Sequence, residues 1–339
     1  MIMRTLGRTG MSVSALGLGG FQFTAQFGVA PQEADNMIDY ALAHGVNLMD
    51  TAQIYGAGES EAIIGRALAR HKDNKPYVCA KVGHFQDTGI LSFNKEKAMQ
   101  AYHNYDEIMR TIKHSLWLLR EDHFDILMLH EAEREWNVNF PSGDCVIMDV
   151  LEDLKKQGVV KAIGASSWDC STLAKLIRTD RIDTVLVAGG ISLLTRWMFD
   201  ELVPAAKEHN VGVIIGGVLG QNTPGLVVKD RNALVPFKES DDVKLNVLAQ
   251  KLECLYDLAD ELDLTMVQMA VRYALSFPDI HSHTMGAREL AHVKDNIRSA
   301  EMGPLPAEAV ARINQIQDAG DTFDFSTIVH KRMENLLKD

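Results

Sequence analysis

The 339-residue sequence predicts a (β/α)8 barrel, a TIM barrel, with an N-terminal β-hairpin and a C-terminal helical extension. Short β-like runs alternate with longer amphipathic segments, a pattern typical of parallel strands joined by crossover helices. Eight such runs follow the hairpin, and the length exceeds the roughly 250 residues of a typical barrel by enough for long loops and a tail. We expect one domain over residues 1–339, with the barrel at about 15–300 and the tail at about 305–339.

The predicted elements follow one another along the whole chain. The candidate strands are 15–19, 46–49, 77–80, 125–129, 162–165, 184–187, 212–215 and 281–285. The candidate helices are 32–44, 61–70, 105–119, 145–157, 172–178, 199–209, 246–277 with a break, 289–300, and two in the tail 307–339, the second after 321–324. Residues 220–244 form the one long irregular segment, either a lid over a cofactor or an ordinary surface connection.

Composition excludes several classes of protein. A net charge of -12 and an isoelectric point near 5.5 argue against a nucleic-acid or anionic-membrane partner. No apolar stretch approaches the ~18 residues of a membrane span. The four cysteines form no C-x-x-C pair, and no basic-then-apolar signal opens the chain, so a cytoplasmic location is expected.

Four polar residues lie at or just after the ends of predicted strands. Asp50 ends VNLMD and Tyr55 follows it in TAQIYG, while Lys81 ends YVCAK and His130 ends DILMLH. The carboxyl ends of barrel strands form the active face. A phenol, with an ordinary pKa of about 10, needs help to donate a proton, and Lys81 is expected to lower the pKa of Tyr55. Asp50 would keep Lys81 charged, and His130 would orient a carbonyl.

This proton-transfer group contains no reductant. No side chain supplies a hydride and no metal site is evident in the sequence, so the four residues predict a nicotinamide cofactor.

These motifs resemble the signature of the aldo-keto reductase superfamily. The resemblance rests on DTAQIYGAGESE, on the strands that end at Lys81 and His130, and on the opening RTLGRTGMSVSALGLGG. It runs from about Arg4 to about Ala300, with the motifs in the family's order and spacing, and is nearest to bacterial aldose or sugar dehydrogenase branches. It implies that Tyr55 is the general acid or base, tuned by Lys81 and Asp50, and that His130 positions the substrate carbonyl.

A second cluster predicts where the cofactor phosphate binds. Arg288, His292 and Asn296 recur every four residues after Gly286, so we expect them to share one helix face near its N-terminus. Helix N-termini favour anions, and the guanidinium of Arg288 adds a fork of donors. The resemblance implies that this stretch holds the adenosine 2′-phosphate and adenine, although the family commonly has Gln where His292 stands. NADPH is therefore favoured, with NAD as the alternative.

Other expected cofactor contacts depart from the family pattern. The family usually has Ser-Asn after strand five, where this chain has Ser166-Ser167, and Ala188 stands where a Gln is common. Ile191 stands where an aromatic residue usually stacks on the nicotinamide. Glycines 216 and 217 would let backbone approach the pyrophosphate. The full set of expected cofactor contacts is Gly20, Ser166, Ser167, Gly217, Leu219, Gly286, Arg288, His292 and Asn296.

The expected substrate is a small molecule, a polyhydroxylated aldehyde, ketone or aldose. Aromatic side chains at the barrel mouth stack on sugar faces, whereas Glu131 and His84 suit hydroxyl groups. An aromatic residue there also has the simpler role of plugging the core. The expected substrate contacts are Phe21, His84, Phe85, Glu131 and Trp168. Phe323 and Phe325 in the tail would line the mouth or, as we favour, anchor the tail to the barrel.

Three other functions compete with this hypothesis. A Schiff-base lyase would use Lys81 as nucleophile, but a paired Asp50 would keep it protonated. A metal-dependent hydrolase would use His281 and His283, although other ligands in strand register are missing and we expect no metal. A nicotinamide-binding regulatory or redox-sensing subunit would explain the departures from the family pattern. The sequence does not predict the oligomeric state or the physiological direction.

Overall fold

Eight parallel strands close into a barrel in the computed structural model, which describes residues 1–83, 105–133, 145–219 and 231–320. The barrel order is β10-β3-β4-β5-β6-β7-β8-β9, so strands that follow one another in the chain are neighbours, and β10 pairs with both β9 and β3. The strands are β1 (Met3–Thr5), β2 (Ser12–Ser14), β3 (Leu16–Gly19), β4 (Leu48–Asp50), β5 (Tyr77–Val82), β6 (Phe124–Leu129), β7 (Val160–Ser167), β8 (Thr184–Ala188), β9 (Gly212–Gly216) and β10 (Ser282–Gly286). The predicted fold class is confirmed.

Strands β1 and β2 form the predicted antiparallel hairpin, which lies at the amino end of the barrel. Leu6, Met11 and Val13 of this hairpin join the apolar residues inside the barrel, among them Leu48, Ile126 and Ile214. The nitrogen of Arg8 donates to the carbonyl of Asn210, 2.7 Å away and two residues before β9. The hairpin therefore seals the amino end and leaves the carboxyl end for binding.

The helices pack outside the barrel, and most begin within three residues of the predicted position. They are α1 (Pro31–Ala43), α2 (Glu59–Arg70), α3 (Tyr105–Leu119), α4 (Val146–Lys156), α5 (Cys170–Ile177), α6 (Leu202–Glu208), α7 (Val235–Lys238), α8 (Val243–Glu261), α9 (Met266–Leu275), α10 (Leu290–Glu301) and α11 (Ala307–Asp318). The larger apolar core lies between these helices and the outer face of the barrel.

The predicted break within 246–277 separates α8 from α9. Asp263 between them has a φ of +53°, which no helix continues. Thr265 then caps α9: its hydroxyl accepts from the nitrogen of Gln268, and the Gln268 side chain accepts from the nitrogen of Thr265. This reciprocal pair is a capping box, which sets where the second helix begins.

Two predicted segments lie wholly or partly outside the described residues. Of the long irregular segment, the described part forms a 3₁₀ helix (Arg231–Leu234) and α7 rather than an irregular connection. The expected second tail helix, with Phe323 and Phe325, lies outside the described residues.

None of the helices in the described ranges combines the length and apolar character needed to cross a membrane.

Candidate active site

The four residues expected to transfer the proton lie at the carboxyl ends of three adjacent strands. Asp50 is the last residue of β4, Lys81 is the last but one of β5, and His130 directly follows β6. Tyr55 lies in the turn between β4 and α2. Because parallel strands of a barrel end on one face, these separate stretches of sequence meet there.

The ammonium of Lys81 connects Asp50 and Tyr55. Its Nζ donates to the carboxylate of Asp50, to the carbonyl of Thr51 at 3.0 Å and to the hydroxyl of Tyr55 at 3.2 Å. An ammonium has three protons, so the three acceptors account for all of them. Lys81 is only 2% exposed and Asp50 only 5%. The ammonium is therefore fixed in position against the phenol.

The charges of this buried cluster differ in part from the expectation. Burial tends to lower the pKa of Lys81, but the charge of Asp50 more than compensates, so that pKa is raised and Lys81 stays an ammonium. Burial raises the pKa of Tyr55 to about 12, although the charge of Lys81 acts in the opposite direction. Lys81 thus lowers the pKa of Tyr55 as expected, but burial outweighs the ammonium, so the pKa lies above its ordinary value. Tyr55 is a protonated phenol at neutral pH.

His130 borders the same space from β6. Its ring centroid lies 6.1 Å from that of Tyr55, and the two rings are nearly perpendicular at 82°. The backbone nitrogen of His130 donates to the carbonyl of Val82 at 2.9 Å, which holds the residue beside the end of β5. The imidazole and the phenol thus form two walls of one cleft.

Several of the expected substrate contacts surround this cleft. The ring of Phe21 lies 5.0 Å from that of Tyr55, and its side chain is 41% exposed. Trp168, directly after β7, is also exposed. Glu131 is half-buried, and its nitrogen donates to the hydroxyl of Ser166 at 3.4 Å. His84 and Phe85 lie outside the described residues.

Glu133 is a site residue that the sequence analysis missed. It is half-buried, and its Oε2 has no hydrogen-bond partner among the described residues. Burial raises its pKa; Ser167 and the backbone at Trp168 oppose that rise, whereas the charge of nearby Glu131 adds to it. The sequence carries a signal, since Glu131 and Glu133 are the two carboxylates of the stretch HEAE that begins at His130. Two carboxyl groups therefore follow His130 in the chain, and that of Glu133 lies beside Ser167 and Trp168 at the end of β7.

The opposite side of the barrel mouth carries glycines at its strand ends. Three neighbouring strands end in glycine: β9 in Gly216, β10 in Gly286 and β3 in Gly19. A Cβ added at Gly216 would lie 3.6 Å from the hydroxyl of Thr284, an ordinary van der Waals contact, whereas one at Gly286 would lie 2.6 Å from the side chain of Gln22. Gly217 follows with a φ of +75°, a conformation that favours glycine. We refer to Gly19, Gly216 and Gly286 as the glycine floor.

The expected phosphate-binding residues lie beside this floor, but not on one helix face. The helix α10 begins at Leu290 with Glu289 as its N-cap, so Arg288 precedes it, and the expectation of a shared face is wrong for Arg288. The Arg288 guanidinium lies 4.9 Å from the ring centroid of Phe27. His292 Nε2 is 3.1 Å from a carboxylate oxygen of Glu289, and Asn296 is buried. Arg288 lies two residues after Gly286, the glycine that ends β10.

The remaining expected cofactor contacts have local partners. The hydroxyl of Ser167 accepts from the nitrogen of Asp169 at 2.8 Å, and that of Ser166 donates to the carbonyl of Leu129 at 3.4 Å. Gly20 has no room for a side chain, since a Cβ there would lie 2.4 Å from the hydroxyl of Ser60. Leu219 is half-buried against the core at the edge of the described chain. Among the positions that depart from the family pattern, Ile191 is buried and Ala188 is half-buried.

The comparison with family models identifies this arrangement. Residues 15–318 match the model of the Aldo/keto reductase family. This chain belongs to the aldo/keto reductase family. It is therefore an oxidoreductase of a family that uses nicotinamide cofactors, and the predicted resemblance is confirmed.

Known relatives of this aldo/keto reductase act on different carbonyl compounds. The chain is 28% identical over 323 residues to the NADH-specific methylglyoxal reductase of Escherichia coli, covering 90% of this chain and 95% of the relative. It is 24% identical over 311 residues to D-threo-aldose 1-dehydrogenase of a Pseudomonas species, covering 86% and 91%. The holo form of an aldo-keto reductase from Bacillus halodurans superposes with a TM-score of 0.75 at 23% identity, covering 96% and 99%. That structure shares the fold.

The metal-hydrolase alternative finds no support in the described residues. Nδ1 of His281 accepts from the backbone nitrogen of Val213, and His283 is buried. Within the described ranges, the side chains close enough to share an ion are those of Glu121, Asp122 and His123. These precede β6, at the end of the barrel opposite the cleft, and exposed acidic groups of this kind are common without an ion.

Proposed function

We propose that this aldo/keto reductase transfers a hydride between a nicotinamide cofactor, NADPH in preference to NADH, and the carbonyl of a polyhydroxylated aldehyde, ketone or aldose. One observation carries the proposal: the hydrogen-bonded group of Asp50, Lys81 and Tyr55 beside His130, at the carboxyl end of the barrel.

The chemistry follows from what each group holds. The cofactor, when bound, supplies or accepts the hydride. In reduction, Tyr55 donates its phenolic proton to the carbonyl oxygen, and Lys81 stabilises the phenolate that forms. Asp50 keeps the ammonium charged and in place, and His130 orients the carbonyl. In oxidation the same phenol takes the proton back, so the residues serve both directions.

The cofactor side rests on the glycine floor and on Arg288. At Gly216 the absence of a side chain lets a pyrophosphate approach the backbone, and Arg288, two residues after Gly286, can grip a 2′-phosphate with two parallel hydrogen bonds. The carboxylate of Glu289 repels such a phosphate, but it faces the ring of His292, 3.1 Å away. The balance favours NADPH.

The substrate side rests on the groups around His130. Glu131 and Glu133 accept hydrogen bonds from hydroxyl groups, and the exposed rings of Phe21 and Trp168 suit the apolar faces of a sugar. Two carboxylates beside the carbonyl also disfavour substrates that carry a carboxylate of their own. The site is thus matched to neutral polyhydroxylated carbonyl compounds.

Titration of the purified protein with NADPH and with NADH, followed through quenching of its four tryptophans, tests the cofactor. We expect saturable binding with a lower Kd for NADPH. Arg288→Gln should raise the Kd for NADPH about 10- to 100-fold and leave that for NADH nearly unchanged. Arg298→Gln, in the last turn of α10, is the matched control. An equal rise in the Kd of both cofactors would mean that Arg288 does not contact the 2′-phosphate. Absence of binding of either cofactor would overturn the proposed hydride transfer.

A panel of neutral sugars, simple aldehydes, carboxylate-bearing aldehydes and bulky apolar ketones tests the substrate class. The proposal expects the highest kcat/KM among hydroxylated carbonyl compounds. Faster turnover of bulky apolar carbonyls than of any sugar contradicts it.

A regulatory or redox-sensing subunit remains the second candidate, because Ala188 and Ile191 replace residues that usually contact the nicotinamide. That function predicts saturable cofactor binding with negligible turnover across the same panel. Turnover that disappears in Tyr55→Phe excludes it.

A further inference from the structure

Glu61 is a buried carboxyl group for which the proposed reaction has no direct use. It lies in the first turn of α2, six residues after Tyr55, and is 0% exposed. Neither of its carboxylate oxygens makes a well-formed hydrogen bond within the described residues, although the hydroxyl of Ser115 is close enough to favour its ionised form. A buried polar group without partners is costly to the folded state, so its retention calls for a physical explanation.

The start of α2 is tied to the ammonium of Lys81. The carbonyl of Thr51 accepts from Lys81 Nζ, and the hydroxyl of Thr51 lies 2.8 Å from that of Ser60, the residue before Glu61. The side chain of Gln53 spans from the same turn to α3, donating to the carbonyl of Thr111 and the hydroxyl of Ser115, both at 2.7 Å. Glu61 is thus held close behind the proton-transfer group.

The charges that face Glu61 come mainly from that group. The charge of Lys81 acts directly on the carboxyl group of Glu61, and Asp50 and Tyr55 act on it through their contacts with Lys81. The neighbouring element α3 presents the hydroxyl of Ser115, and the 3₁₀ helix Gly20–Phe23 carries no titratable side chain.

Helix α1, which also packs against α2, contributes two carboxylates. Asp35 and Asp39 of α1 pair with Arg66 and Arg70, further along α2. Their charges are compensated there.

We propose that Glu61 is a positioning residue whose ionisation, acting through Lys81, sets how readily Tyr55 gives up its proton. The role of Tyr55 is the one proposed above, so this inference rests on that function and adds a control of its pH dependence.

The direction of the effect follows from the charges. Burial raises the pKa of Glu61 to about 7, although Ser115 and Lys81 both favour the ionised form. Below that pH the carboxyl is neutral, and the full charge of Lys81 stabilises the phenolate of Tyr55. Above it, the carboxylate adds a negative charge to the buried group and opposes the phenolate. Reduction should therefore be faster below about pH 7 than above it, where Tyr55 is the weaker acid.

The rate of the reduction step over pH tests the proposal. In the wild type we expect kcat to fall between about pH 6 and about pH 8 to a lower plateau. Glu61→Gln keeps the shape but has no charge, so it should hold the faster rate throughout. This variant should also shift the rise of the oxidation rate with pH by about one pH unit to lower pH.

Two further variants complete the test. Glu61→Asp should restore a fall of the reduction rate with pH, and Glu308→Gln, exposed in the first turn of α11, is the control. An unchanged profile in Glu61→Gln overturns the proposal.

Infrared spectroscopy tests the ionisation of Glu61 without relying on turnover. The infrared C=O stretch of the protonated Glu61 carboxyl is obtained by subtracting the spectrum of Glu61→Gln from that of the wild type. This band should disappear as the pH rises through about 7. The coupling between Glu61 and Lys81 is reciprocal, so removal of the ammonium in Lys81→Met should raise the pH at which the Glu61 band disappears. The reference spectrum is then that of the double variant Lys81→Met/Glu61→Gln. A midpoint that does not respond to Lys81 overturns the inference, even if no substrate turns over. Loss of turnover with the coupling intact would instead count against the proposed function alone.

Discussion

The phenol of Tyr55 is the residue on which the proposed chemistry depends. Tyr55→Phe keeps the ring and its contacts with Phe21 and His130 but removes the proton. We expect kcat to fall about 10²- to 10⁴-fold, the usual contribution of a positioned acid or base, while the Kd of the cofactor stays within about twofold. Steady-state kinetics and the fluorescence titration measure the two quantities. Tyr40→Phe on α1, stacked on His44, is the control. Full activity in Tyr55→Phe would assign the proton transfer to another group.

Single residues also show what the sequence could and could not predict about the site. Asp50, Tyr55, Lys81 and His130 were found from their positions after apolar runs, because the end of a barrel strand has a defined place in the fold. The upward shift of the pKa of Tyr55 was not predicted, because it depends on how completely other elements cover the phenol. Glu61 was missed for the same reason: nothing in the letters GESE distinguishes a buried carboxyl without partners from an exposed acidic residue in a first helical turn.

At the scale of elements, the close contact between α2 and α3 positions the turn that carries Tyr55. Gly65 of α2 faces the end of α3, and a Cβ there would lie 2.1 Å from the carbonyl oxygen of Leu118 and 2.9 Å from the backbone of Leu119. Backbone cannot move aside as a flexible side chain does. The glycine is thus required by packing.

Gly65→Ala should therefore destabilise the protein although alanine is the better helix former. The helical preference of alanine contributes about 1 kcal/mol, whereas the overpacking costs about 1–3 kcal/mol, so we expect a net loss of up to about 2 kcal/mol. Urea denaturation followed by circular dichroism measures this loss. Glu308→Ala, exposed on α11, should stay within about 0.5 kcal/mol of the wild type. A variant that is more stable would mean that α2 and α3 can separate at this point.

The elements were predicted more accurately than their ends. Periodicity located the helices, but it placed Arg288 on α10, whereas that helix begins at Leu290 after the extended residue Glu289. The start of the helix depends on how β10 delivers the chain to it, which is a property of the assembled barrel. A spacing of four residues is compatible with a helix but does not require one.

At the scale of the whole molecule, β10 closes the barrel by pairing with β9 and β3, and His283 lies at the centre of this closure. It stands opposite Leu16 of β3 and Ile215 of β9, is 1% exposed, and its Nε2 has no hydrogen-bond partner among the described residues. The sequence suggested a metal ligand here because His281 and His283 alternate along a strand. The structure shows a core histidine instead, for which a charge is unfavourable.

The closure should consequently be sensitive to acid. Burial and the nearby charge of Arg4 lower the pKa of His283 to about 3, below its ordinary value of about 6.5. The unfolded chain binds a proton to this group below about pH 6.5, and the folded protein does not until about pH 3. The contribution of the neutral His283 to the free energy of unfolding is therefore fully present above pH 6.5 and is lost as the pH falls, by roughly 1.4 kcal/mol per unit.

Urea denaturation at about pH 7 and about pH 5 measures this effect. The free energy of unfolding should fall less between these two values in His283→Leu than in the wild type. His114→Leu, an exposed histidine on α3, controls for the general effect of acid and should keep the wild-type loss. Equal losses in all three proteins would mean that β10 accommodates a charged imidazole, and that the acid sensitivity of the barrel lies in its carboxylates.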